Sequence, residues 1–160
     1  MNTQANSKGF TIIEVVLVLA IAGLIFLMVF IALPALQRNQ RDTARRNDVT
    51  TVASAYTTAT NNNRGSAPAN GTVPEDQFGQ TTGAHAFARY LDDLSDNTSS
   101  VVIRDRPAGG GRLSPEDGQI IIVKRAQCGD EDGAVTSGTN RQVALLTQLE
   151  GGSAIFCQTS

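Results

Sequence analysis

Few side chains in this chain are equipped for chemistry, and the first is a lone acid. Glu14 stands inside an apolar segment, and residues 15–36 behind it hold no charged side chain and no side-chain hydrogen-bonding group. A carboxylate near the end of an apolar helix is costly to bury and calls for a partner. A cut between Gly9 and Phe10 would supply one, an α-amine one helical turn upstream of Glu14. Within one chain the two charges neutralise each other; between staggered chains the amine of one copy meets Glu14 of another, and in a low-dielectric core that pairing selects register.

The remaining reactive residues lie far downstream. Cys128 and Cys157 form the only cysteine pair, and in a chain with an export segment they read as a disulfide made outside the cytoplasm. His85 is the only histidine and has no nearby cysteine or carboxylate cluster, so it reads as a surface residue rather than a metal ligand or base. The acidic run Gly129-Asp130-Glu131-Asp132-Gly133 lacks the remaining spacing of a calcium loop and reads as a solvated turn. Asn70-Gly71-Thr72 and Asn97-Thr98-Ser99 match the glycosylation tripeptide, a weak signal. There is no glycine-rich phosphate loop and no serine in a nucleophile elbow. No catalytic residue, metal site or cofactor is expected, and the pattern points away from an enzyme. Net charge is -2, with no basic footprint for nucleic acid.

The element that must position Glu14 is a helix. As one helix, residues 15–36 would cover about 33 Å at ~1.5 Å per residue, enough for a bilayer core of roughly 30 Å. A secretory signal peptide would have a shorter apolar region; Ala20-Ile21-Ala22 offers a cleavage site on paper, but the run continues past it. A plain single-pass anchor fits the hydropathy equally well, and Gly9, Phe10 and Glu14 are what argue for more.

At these residues the chain resembles the type IV pilin family, including the pseudopilins of type II secretion systems. The resemblance implies that Lys8 and Gly9 end a leader, that a prepilin peptidase cuts between Gly9 and Phe10 and N-methylates Phe10, and that Glu14 is the family's acidic assembly residue. It implies a fold of the α+β class, a long N-terminal hydrophobic helix packed on a small antiparallel β-sheet head. It implies self-association into a filament, the pilus assembly machinery as a partner, and a membrane-anchored precursor that becomes an extracellular filament. A C-terminal disulfide stapling the head suits the same family. Gly23 sits where the family has a glycine, while Pro34 falls three residues later than the usual proline; together they mark a stretch that tolerates bending or unwinding.

One signal conflicts. Lys8 precedes the apolar run, but Arg38, Arg41, Arg45 and Arg46 follow it, offset by Asp42 and Asp48. Counting Lys and Arg places the C-terminal side in the cytoplasm, against a pilin orientation.

The expected organisation is a leader at 1–9, a membrane half of the helix at 10–36, an amphipathic half at 37–60 and a head at 61–160. Val49, Val52, Ala53 and Tyr56 recur at helical spacing and form the stripe on which the head folds. The Asn61 to Gly65 stretch ends the helix, and residues 61–83 read as an irregular connection. A short helix is expected at 82–94, with Phe87, Tyr90, Leu91 and Leu94 on one face. Strands are expected at 101–104, 119–126, 141–149 and 154–157, the last two joined by a hairpin turn at 150–153, as a sequential antiparallel meander. Rival readings are a pseudopilin, with the same N-terminus, and an anchored binding domain, which needs neither processing nor Glu14.

Overall fold

The computed structural model describes residues 9–81, 85–150 and 154–160. The expected leader, apart from Gly9, and the expected hairpin turn, apart from Glu150, lie outside the described residues. Helix α1 runs Ile12–Asn62 without interruption at Gly23 or Pro34. The chain divides into two compact units, one up to Gln37 and one from Arg38 to Ser160.

From Val15 to Leu36, in the first unit, α1 is apolar around its whole circumference. A helix of that kind has no polar face to give to water and is built to be covered on all sides. Among the described residues, every exposed large hydrophobic side chain lies within residues 10–36.

In the second unit α1 becomes amphipathic. The stripe expected from periodicity is the buried one: Val49, Val52, Ala53 and Tyr56 are buried, joined by Ala55 and Ala59. They pack against Val73, Phe87, Leu91, Val101, Ile103, Ile120, Ile122, Val143 and Leu145. All of these but Phe87 and Leu91 come from the head's main sheet, built of β1 (Gly71–Pro74), β2 (Ser100–Asp105), β4 (Gln119–Lys124), β7 (Val143–Gln148) and β8 (Ile155–Thr159), in the order β1-β2-β4-β7-β8. A smaller sheet holds β3 (Gly111–Arg112), β5 (Ala126–Cys128) and β6 (Ala134–Ser137), in the order β3-β6-β5. A second core, including Leu113, Ile121, Val123, Ala126, Val135, Ala144 and Leu146, lies on the face of the main sheet away from α1.

The α+β class with a long apolar N-terminal helix and an antiparallel-rich head is therefore the fold. Its connectivity departs from a sequential meander. β2 and β4 run parallel, Ser100 opposite Gln119 through Asp105 opposite Lys124, while the other pairings in the main sheet are antiparallel. The expected single strand over 119–126 is two strands: Arg125 takes a left-handed conformation (φ 55), ending β4 in the main sheet and starting β5 in the small one. The Gly138 amide donates to the Arg125 carbonyl at this corner.

Two further expectations are corrected. The connection at 61–83 is not wholly irregular, because β1 and a 3-10 turn, Glu75–Gln77, lie within it. The short helix expected at 82–94 is reduced to one 3-10 turn, Ala88–Tyr90, in the residues described there. Phe87 and Leu91 are buried and Tyr90 and Leu94 partly so, so the expected apolar face packs against the core without a full helix. The Phe87 ring meets Tyr56 edge-on and tilts against Tyr90, each at 6.3 Å between centroids. The backbone here is held by turn hydrogen bonds, with the Tyr90 amide donating to the Phe87 carbonyl and the Leu91 amide to the Ala88 carbonyl.

Candidate functional site

The N-terminal site is built on the first turn of α1. Thr11 is the residue before the helix and Glu14 the third within it, the Thr-x-x-Glu arrangement of a capping box. The Thr11 amide donates to Glu14 Oε2 at 2.9 Å and the Thr11 hydroxyl donates to the same oxygen at 2.8 Å. In return the Glu14 amide donates to Thr11 Oγ1 at 3.4 Å and to the Thr11 carbonyl at 3.1 Å. Two of the helix's unpaired amide donors are satisfied, and a carboxylate in the first turn also suits the positive end of the helix dipole. Glu14 therefore turns back along the chain, towards the residue that follows Phe10.

Gly9 and Phe10 precede the helix without regular structure, and both are exposed, Phe10 at 89%. The peptide bond between them is outside the helical hydrogen-bond ladder. Gly9, Phe10 and Glu14 thus share one short exposed segment. Thr11 is a member that sequence reasoning missed, although its spacing to Glu14 is the signal of a capping box.

Cys128 and Cys157 belong to the second unit. They form a disulfide, Cα atoms 5.9 Å apart, joining β5 of the small sheet to β8 of the main one. The Cys128 amide also donates to Thr159 Oγ1 at 3.0 Å, so β8 is tied twice to the small sheet.

Within the second unit, α1 carries a polar ladder that holds the head. The Arg41 guanidinium pairs with Glu150 at 2.7 Å, and Asp42 accepts the Glu150 amide at 2.8 Å. Arg45 is 5% exposed and donates to the Gln148 carbonyl at 2.7 Å and to Asp117 at 2.6 Å. Asp48, 4% exposed, accepts from the Ser95 amide, the Ser95 hydroxyl and the Thr98 hydroxyl. Arg46 lies over the Phe156 ring, 5.2 Å from its centroid. Three of the four arginines whose count opposed the expected orientation are thus engaged by the head. Long domains also translocate largely irrespective of such counts.

His85 packs its ring on Gly71, where a Cβ would come within 2.1 Å of Cε1. Among the described residues no cluster of His, Cys, Asp and Glu is arranged to hold a metal.

Helix α1 contains a stretch long and apolar enough to cross a membrane, with mean hydropathy 3.2 over its best 18 residues. No curated protein and no solved structure matches the chain. Residues 4–30 match the prokaryotic N-terminal methylation motif. That segment contains Gly9, Phe10, Thr11 and Glu14 and runs into the apolar helix, and with it the chain carries a type IV prepilin-like N-terminal signal.

Proposed function

We propose that this protein is a structural subunit that polymerises through residues 10–36 into a type IV pilus-like surface filament. The observation that carries the reading is the division of apolar surface: every exposed large hydrophobic side chain among the described residues lies within 10–36, on the segment carrying the methylation motif. Such a surface needs lipid before assembly and neighbouring helices after it. Among its described residues the head exposes nothing comparable, and its part is to face solvent.

In this reading prepilin peptidase removes residues 1–9 and N-methylates Phe10, and Glu14 of an assembled copy receives the new amine of the next one. The domain plan is then leader 1–9, filament core 10–36, amphipathic support 37–60 and head 61–160. The precursor is a single-pass protein of the cytoplasmic membrane with the head outside. Its partners are prepilin peptidase, the assembly machinery and further copies of itself.

The deciding experiment is mass analysis of the N-terminus in material sheared from the cell surface. A chain starting at N-methylated Phe10 is expected. Processed chain confined to the periplasm would move the reading to a pseudopilin. An intact Met1 leader found only in the membrane fraction would overturn it in favour of an anchored domain.

A further inference from the structure

The main sheet ends in β1 on one side and β8 on the other. The Val143 amide donates to the Ser160 carbonyl and the Ser160 amide to the Val143 carbonyl, which sets the alternation of the β7–β8 ladder. Phe156 and Gln158 then turn their backbone groups to β7, and Ile155, Cys157 and Thr159 turn theirs outward. β8 carries no charged side chain and no proline, the usual devices that blunt an edge. On β1 the Glu75 amide donates to the Ser99 carbonyl, so Val73 faces β2 and Thr72 and Pro74 face outward. Pro74 has a carbonyl to offer but no amide.

The parallel pair β2–β4 decides which way these edges run. Five strands paired antiparallel throughout would end in two edges of the same direction. One parallel pairing reverses that, so β1 and β8 run in opposite directions. The β8 edge of one copy can therefore meet the β1 edge of a second copy as an antiparallel pair while both copies keep the same orientation. Antiparallel pairing of β8 with β8 would instead need a two-fold axis normal to the sheet. Because α1 packs along the sheet face, that axis would reverse α1 in one copy, and the two could not enter one membrane in the same sense. A contact between unlike edges is heterologous, and repeated it produces an open helical assembly wherever its rotation does not close a ring.

Faces and charges agree with such a contact. With Ile155 opposite Pro74 and Cys157 opposite Thr72 of a second copy, Phe156 falls opposite Val73, and both belong to the core on the α1 side. Cys157 belongs to the opposite core, and Thr72 pairs with Val102, which packs against that same core. Exposed Glu75 follows β1 two residues beyond Val73, and exposed Arg46 stands over Phe156. From these relations we propose that, in the assembled form, heads of successive copies join edge to edge, β8 to β1, with Arg46 of one copy facing Glu75 of the next. This inference rests on the proposed polymerisation and names its head-to-head surface.

The test is photocrosslinking of the full-length protein in assembled fibres. With the photoreactive residue benzoylphenylalanine placed at Thr72, illumination is expected to give dimers whose adducts map to 155–159 of the second copy. The same probe at exposed Thr58 on α1 is the control and is expected to give none there. Glu75→Arg and Arg46→Glu singly are expected to lower fibre yield roughly two- to fivefold, the scale of an exposed ion pair. The double charge reversal is expected to restore it. Normal fibres whose Thr72 adducts lie outside 155–159, or a double variant no better than the singles, would overturn the edge contact and leave polymerisation standing. Absence of wild-type fibres would overturn both.

Discussion

Thr11 and Glu14 cap each other: one carboxylate oxygen of Glu14 takes both the amide and the hydroxyl of Thr11. The acid therefore has an intramolecular role in the helix start, separate from the intermolecular role proposed in assembly. The two roles are separable because capping needs an oxygen acceptor and pairing with an amine needs a charge.

Glu14→Gln keeps the acceptor and loses the charge. We expect this variant to be cleaved between Gly9 and Phe10, to keep an ordered first turn by amide exchange in detergent, and to fail to enter fibres. Thr11→Val should do the reverse in part, fraying the first turn by about 1 kcal/mol. Fibres from the Glu14→Gln variant at wild-type yield would reduce Glu14 to a helix cap.

Reduction of the Cys128 to Cys157 bond should destabilise the head. With 29 residues of separation, chain-entropy reasoning gives roughly 3 to 4 kcal/mol. In a head of this size that lowers the melting midpoint by on the order of 10 °C. Calorimetry with and without reductant checks it, and equal midpoints would show that β8 is held by its β7 ladder and the Cys128 to Thr159 hydrogen bond without help from the disulfide.

Asp48 and Arg112 should respond very differently to alanine. Asp48→Ala strands the Ser95 and Thr98 donors in a buried site, and a loss of about 2 to 4 kcal/mol is expected. Arg112 pairs with Glu131 at 3.4 Å in an exposed position, and Arg112→Ala should cost less than about 1 kcal/mol. Urea unfolding of both variants measures the contrast, and similar midpoints would mean that the Asp48 contacts are replaced by water.

Asp105 gives the head an acid-sensitive contact. The amide of Asn70 donates to its carboxylate and holds its pKa below the ordinary 3.8, against the opposing effect of burial and with Lys124 and Arg125 adding to the lowering. A carboxyl group whose folded pKa is depressed contributes stability above its unfolded value, and loses it as pH falls through the folded one. The contribution should thus be complete at neutral pH and disappear below about pH 4. Asp105→Asn is expected to flatten that acid limb in unfolding measured from pH 2 to 7. An unchanged limb would assign the acid sensitivity to other carboxylates.

By itself the sequence determined the parts governed by local pattern. An uninterrupted apolar run specifies a membrane-length helix wherever it folds, and the 3.6-residue spacing of Val49, Val52, Ala53 and Tyr56 marks the face that a head must cover. The cysteine pair and the segment from Gly9 to Glu14 were equally legible, since their meaning lies in residue type and spacing. Thr11 was legible too, through its Thr-x-x-Glu spacing to Glu14. Only the tertiary structure decided the rest. The parallel pairing of β2 with β4, the handover at Arg125 from one sheet to the other, and the short strands β1, β3 and β6 depend on long-range ladders that no local window contains. Phe87 and Leu91 show the same limit: their spacing marks an apolar face, but packing against Tyr56 and the sheet keeps only one 3-10 turn there. The capture of Arg41, Arg45 and Arg46 by the head likewise needed coordinates, because a charge count along the chain records where arginines lie and not what they touch.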